Sequence, residues 1–222
     1  MGTKDVVRMK ERLDAIRKPE KVQGKKAAAA TAGILAFGVA LGIFSKWLDN
    51  IAFDSAIWWH RPIEALRLNA FFSDMAIWLL AALVIAVFSR SALRAAVNVF
   101  AFFAGMCAAY HLHSILFSGF DPSSYMMIWY GITVLSPFLA VLCWYAKGKG
   151  VVAVLLDIGI MAVFTLACFA IGFFYVDLRG ILYLLVYIGA AAAIYRSPKQ
   201  LLLSMLAGFL LAFPLDPLWP FH

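Results

Sequence analysis

Charge is what this chain has least of. Of its 222 residues only 14% are Asp, Glu, Lys or Arg, while 64% are hydrophobic. Soluble domains average about 25% charged and about 45–50% apolar. With a mean hydropathy of +0.89, the shortage points to a chain that lives in a bilayer and has no room for a soluble catalytic domain. Cysteine is scarce as well. Cys107, Cys143 and Cys168 each fall inside an apolar run, and no CxxC spacing occurs, so neither a disulfide framework nor a zinc site is indicated. Walker A, HExxH, GxSxG and DxD-type motifs are missing. So are a TVGYG-like filter and a regular array of arginines within spans. The residues therefore offer no positive sign of an enzyme, and no cofactor is expected.

The charge that is present is unevenly placed. The net charge is +7, and nine of the 19 Lys and Arg lie in the first 26 residues. Nucleic-acid binding would need a folded basic face with stacking or groove-reading elements, and none is visible. Positive-inside anchoring explains the excess. Within residues 1–26, Val6, Met9, Leu13 and Ile16 recur at helical steps, with Asp14 and Lys18 at i,i+4 and Pro19 as a limit. This predicts a basic amphipathic helix on the cytoplasmic membrane surface. Residues 27–222 then form one transmembrane domain.

Seven apolar runs follow, near 27–44, 71–88, 95–117, 125–145, 151–174, 181–195 and 201–213. About 20 residues span a bilayer. The last run is short, so a six-span variant would leave it re-entrant or interfacial. Pro214, Pro217 and Pro220 break helix beyond it, and Trp219 suits an interface. Taking loops alternately, one side carries fifteen Lys and Arg and the other only Lys46, Arg61, Arg67 and Arg179. The predicted fold is an all-α integral membrane bundle of seven transmembrane helices, N-terminus cytoplasmic and C-terminus outside. Residues 48–70, with Trp58, Trp59, His60 and Arg67, make the longest connection and suit a lid or interfacial packing. Gly38 and Gly42 form a small-xxx-small pair that permits close helix approach, within the bundle or to a second copy.

Ionisable residues inside spans are costly and mark candidate function. Asp74 is expected one turn into the outer end of the second span. Asp157 is expected about two turns into the fifth, where Asn98 or Arg94 could partner it. In the third span, His111 and His113 look like a metal pair. Residues two apart on a helix point about 200° apart, so the two imidazoles do not ligate one ion, and no metal is expected. Asn98 and His113 lie near the ridge of Ala101, Gly105 and Ala109. His113 is therefore expected to face the bundle and His111 the headgroups. The outer ends gather aromatic and polar groups as a small-molecule pocket does, and as an interfacial belt does. The ligand-binding candidates are Asp74, Trp78, Tyr110, His113 and Arg179. Asn98 and Asp157 are buried polar or coupling candidates.

The phrases GIFSKWLDN, NVFAFFAGMCAAYHLH and SPFLAVLCWYAKGKG resemble an uncharacterised family of small polytopic bacterial membrane proteins, across most of residues 30–213. The resemblance implies a multi-pass protein of the bacterial plasma membrane and brings no assigned activity. In layout the chain is also similar to the substrate-binding membrane subunits of energy-coupling-factor vitamin transporters, departing from them in a seventh span and an outside C-terminus. Three functions are therefore expected in turn. The first is a solute-binding or transport-related protein with a site in the outer half. The second is an accessory or assembly subunit that meets a membrane-protein partner, or a second copy, through Gly38/Gly42. The third is an intramembrane lipid-modifying enzyme, which needs Asp74 or Asp157 within hydrogen-bond reach of His113.

Overall fold

The structure is a computed structural model that describes residues 3–52, 54, 56–119, 121–172 and 174–219. The fold is nearly all helix. Five helices are long and apolar enough to cross a membrane: α2 (Gly24–Asp49), α6 (Ala92–Ser118), α7 (Ser123–Ala146), α8 (Gly150–Cys168) and α10 (Pro198–Leu215). Two shorter apolar helices, α5 (Ala76–Phe88) and α9 (Ile181–Ile194), lie among them. The remaining helices are α1 (Thr3–Ile16), α3 (His60–Ala65) and α4 (Leu68–Ser73). Such a chain fits a multi-pass membrane protein. Large apolar side chains such as Phe88, Leu116, Phe138, Leu155 and Leu210 lie exposed on the outside, as lipid-facing positions do.

Three boundaries depart from the sequence reading. The second run is not one helix. It breaks at Asp74, which leaves α4 as its C-cap in extended conformation and hydrogen-bonds the Met75 amide through Oδ1. The indole of Trp78 donates to the Phe72 carbonyl at 2.9 Å and satisfies the backbone there. Asp74 thus sits in a break, not one turn inside a span.

The fifth run ends early. α8 stops at Cys168, and a small antiparallel hairpin follows, β1 (Phe169–Ile171) paired with β2 (Val176–Leu178). Ala170 lies opposite Asp177. The Arg179 amide closes the base of this hairpin on the Cys168 carbonyl at 3.2 Å. The all-α expectation is corrected to that extent: aromatic and β-branched residues around Gly172 prefer a paired ribbon.

The seventh run gains length. Ser197 caps α10 by accepting from the Gln200 amide, and Pro198 suits the first helical position. Pro214 does not end the helix but lies within its last turn, and a 3-10 turn over Asp216–Leu218 follows. Pro220 lies outside the described residues.

Helix packing is closest where side chains are smallest. A Cβ on Gly38 would lie 2.2 Å from the Phe102 carbonyl oxygen, and one on Gly42 would lie 2.4 Å from that of Met106. The pair that permits close approach, within the bundle or to a second copy, is packed here against α6 of the same chain. Gly105, from the ridge on α6, meets α2 at Leu35 and Val39.

The turns gather at two opposite ends. At the basic end, Arg17 donates to the carbonyls of Trp144 and Val87 and lies over the Trp144 ring at 4.4 Å. The Lys149 amide donates to Ile16, and the Glu20 amide to Arg90. The C-terminal part of the N-terminal segment is thereby docked on the bundle. Burial lowers the pKa of Arg17 from its ordinary value, against the pull of Glu20. The backbone of α1 is helical as expected, though the side chains of Val6 and Met9 lie outside the described residues. Lys147 reaches the carbonyls of Ala193 and Tyr195. At the far end, Asp49 accepts from Tyr110 at 2.8 Å and from Ser73 at 3.0 Å.

Candidate functional site

The far end holds two separate clusters, not one aromatic basin. The first is built on Asp74. Release from α4 turns its carboxylate toward the hairpin, where Oδ2 accepts from Arg179 Nη1 at 3.2 Å and from the Tyr183 hydroxyl at 2.9 Å. The Asp74 and Arg179 side chains are 19% and 20% exposed. The hairpin base fixes where Arg179 leaves the backbone, and the first turn of α9 presents Tyr183 four residues later.

Around this ion pair lies a cavity of about 320 Å³, lined by Ala65, Leu66, Arg67, Ala70, Phe71, Asp74, Arg179, Gly180, Ile181, Leu182 and Tyr183. Ligand pockets run about 300–1,000 Å³, so this one suits a small solute. Arg67 lines it from a strained backbone: its φ is +50°, the only positive value among the described non-glycine residues. Holding a bulky side chain there costs on the order of 1–3 kcal/mol. Two guanidiniums and one carboxylate give the wall a net positive charge. Bidentate guanidiniums match a carboxylate or phosphate group, and Asp74 offers an acceptor to a donor or cationic group beside it. The connection 48–70 contributes α3 and α4, whose junction forms one side of this cavity. His60 of that connection is buried and accepts from the Asp54 amide at 2.9 Å.

The second cluster holds Tyr110, Asp49, Lys46 and Tyr125. The Lys46 ammonium lies 5.3 Å over the Tyr110 ring. The cavity beside it, lined by Trp78, Tyr110, Tyr125 and Trp129 among others, measures only about 20 Å³. That is room for about one water, not a solute. Trp78, 2% exposed, is a packing and backbone-satisfying residue at the helix break. Of the five predicted ligand contacts, the structure brings together Asp74 and Arg179. Trp78 and Tyr110 belong to the neighbouring cluster, and His113 to neither.

The histidines do diverge, as helix geometry requires. His111 reaches the exposed turn after α6. Its Nδ1 meets the Tyr130 hydroxyl and its Nε2 lies 3.1 Å from Asp121, tying α6 to the start of α7. The Ser123 hydroxyl, with the Ser123 amide and His111, holds the exposed Asp121 carboxyl below its ordinary pKa. His113 is half-buried against Phe117, with ring centroids 4.8 Å apart, and its Nδ1 has no hydrogen-bond partner among the described residues. Neither Asp74 nor Asp157 hydrogen-bonds His113 among the described residues, so the acid–histidine pair that a lipid-modifying mechanism needs does not form. Among the described residues no group of three or more His, Cys, Asp or Glu converges either.

Asp157 is fully buried, and its partners are not Asn98 or Arg94. Arg196 Nη2 donates to its Oδ2, as does Gln200 Nε2 at 2.7 Å. Gln200 in turn accepts from the Arg196 amide at 3.1 Å, and Arg196 Nη1 donates to the Gly148 carbonyl. Asn98 instead joins a basic-end cluster with Arg94, Thr31 and Ser89. Two candidate residues of equal depth thus lie in different interhelical seams.

Sequence reasoning missed Tyr183, Arg196 and Gln200. Tyr183 carried a signal, since it stands one turn after Arg179. Arg196 and Gln200 also stand one turn apart, but only helix adjacency reveals that they face Asp157. Comparison of the chain with protein-family models, with curated proteins and with solved structures finds no match.

Proposed function

We propose that this chain is a seven-span membrane protein that binds a small anionic or zwitterionic solute in the Asp74–Arg179–Tyr183 cavity and serves that solute's transport. The observation that carries the reading is a cavity of about 320 Å³ walled by Arg67, Asp74, Arg179 and Tyr183. A carboxylate on the solute would pair with the guanidiniums. An amine or hydroxyl would face Asp74. Phe71 and Leu182 would cover its apolar part.

The basic end lies in the cytoplasm and the cavity opens outward. The distribution of Lys and Arg supports this orientation, as does the alternation of turns between the two ends. α5 and α9 are the short members of the seven and act as crossings because each connects one end to the other. Labelling tests the topology. A cysteine at Phe174→Cys, on the 93%-exposed hairpin tip, should react with a membrane-impermeant maleimide in intact cells. One at Lys149→Cys should react only after lysis. The reverse pattern would invert the protein.

Solute binding is tested by a thermal-shift screen of the detergent-purified full chain against small carboxylic acids, amino acids and phosphate esters. At least one class should raise Tm in the wild type and fail to do so in Arg67→Gln, whose fold does not rest on that guanidinium. An accessory subunit would instead show no shift with any member and a stoichiometric partner on co-purification.

A further inference from the structure

A second cavity, of about 620 Å³, lies at the basic end between α2, α5 and α6. Its mouth carries Lys21, Lys26, Arg90 and Arg94, and no carboxylate lines it. Its deeper wall is apolar, with Ile34, Val84 and Ile85, and Phe88 stands exposed at the end of α5 beside the mouth. Cationic mouth and apolar depth are stacked along the helix axes, as headgroup and acyl chain are stacked along the bilayer normal. We propose that this groove binds one anionic phospholipid, its phosphate among the cations and one acyl chain along the apolar wall.

The cations are disposed for this. Arg94 is held in place through a single nitrogen: Nη2 reaches the Ala27 carbonyl, the Thr31 hydroxyl and Asn98 Oδ1. Nη1 and Nε make none of these contacts, and Arg94 borders the cavity. Asn98 is itself anchored, donating to the Ser89 hydroxyl at 3.2 Å, so the Arg94 head is fixed at the floor of the mouth. Lys21 and Lys26 stand at the entrance, where long side chains reach the interface while their stems lie along apolar surface. Arg90 is shared with Glu20 at 3.6 Å, both side chains exposed. Such a pair is weak and yields to a phosphate. A free anion would use the mouth alone and leave the apolar wall unexplained. Basic pockets between helices at the cytoplasmic side are the physical setting for anionic headgroups.

The inference rests on membrane embedding, not on the solute site at the far end. Native mass spectrometry of the full chain, exchanged with phosphatidylglycerol or phosphatidylcholine, tests it. The expected result is a retained phosphatidylglycerol adduct, about thirtyfold weaker in Lys26→Gln/Arg90→Gln, given the contribution of each of the two surface cations, and weakened in Val84→Trp, which fills the wall. Phosphatidylcholine adducts should be weaker and insensitive to the charge changes. Should the double variant not fold, Lys21→Gln in the exposed linker carries the charge test. Equal retention of both lipids, or an unchanged phosphatidylglycerol adduct in the charge variants, overturns the proposal. So does loss of the adduct to millimolar inorganic phosphate with no effect of Val84→Trp, which would leave a free-anion site.

Discussion

Arg196→Leu is expected to lower folding stability by about 3–5 kcal/mol, the scale for breaking a buried ion pair. The substitution strands the Asp157 carboxylate, which is fully buried, with only the Gln200 amide still donating to it. Asp157→Leu should cost less, because the Arg196 side chain is 20% exposed and keeps the Gly148 carbonyl as a partner. The double variant, leucine at both positions, should be more stable than Arg196→Leu alone, since no charge is then left without a partner. Unfolding of purified protein, followed by tryptophan fluorescence or calorimetry, gives the three values. Simple additivity would mean that the two residues do not act as a pair.

The second large effect concerns the seam between α2 and α6. Gly38→Ala and Gly42→Ala are each expected to destabilise by about 1–3 kcal/mol, the usual cost of overpacking. In both cases the added carbon would meet a backbone carbonyl, at 2.2 and 2.4 Å respectively. A carbonyl in a helix cannot swing aside as a side chain can, so the helices must separate. α2 has few other attachments, being only 11% buried over its apolar window. Gly33→Ala in the same helix is the control. Nothing lies within 4 Å of its added carbon, so the change should be neutral or stabilising by about 0.5–1 kcal/mol. If all three behave alike, the seam is not where α2 is held.

The membrane class and the approximate place of each apolar run were legible because hydropathy integrates over about 20 residues. Local breaks were not. No glycine or proline marks the interruption at Asp74. It is stabilised by that carboxylate on its own chain and by Trp78 from the next turn, and neither contact leaves a periodic trace. The hairpin after Cys168 is hidden for a related reason, since a short apolar run reads equally as buried strand or continued helix. α10 was underestimated because Ser197 and Pro198 form a start signal that hydropathy does not register.

The site was legible in part. Asp74 stood out as an acid in apolar sequence and Arg179 as one of four cations on the same side, and the fold brings the two together. Trp78 and Tyr110 had the right depth and the wrong azimuth. Depth follows from distance along a helix, whereas azimuth toward a neighbour depends on which helices are adjacent. The same gap misassigned the partner of Asp157, for Arg94 and Arg196 stand at one end in different seams. It also hid the partners of His111: the angle to His113 followed from helix geometry, but the presence of Tyr130 and Asp121 beside it did not.

The most direct test of the account is calorimetric titration of the purified full chain with the solute class that raises its Tm, run in parallel on Arg67→Gln. The expected result is saturable one-to-one binding by the wild type and at least tenfold weaker binding by the variant, about 1.4 kcal/mol or more. Equal affinity in the two proteins, or no binding heat from any carboxylate, amino acid or phosphate ester, would contradict it.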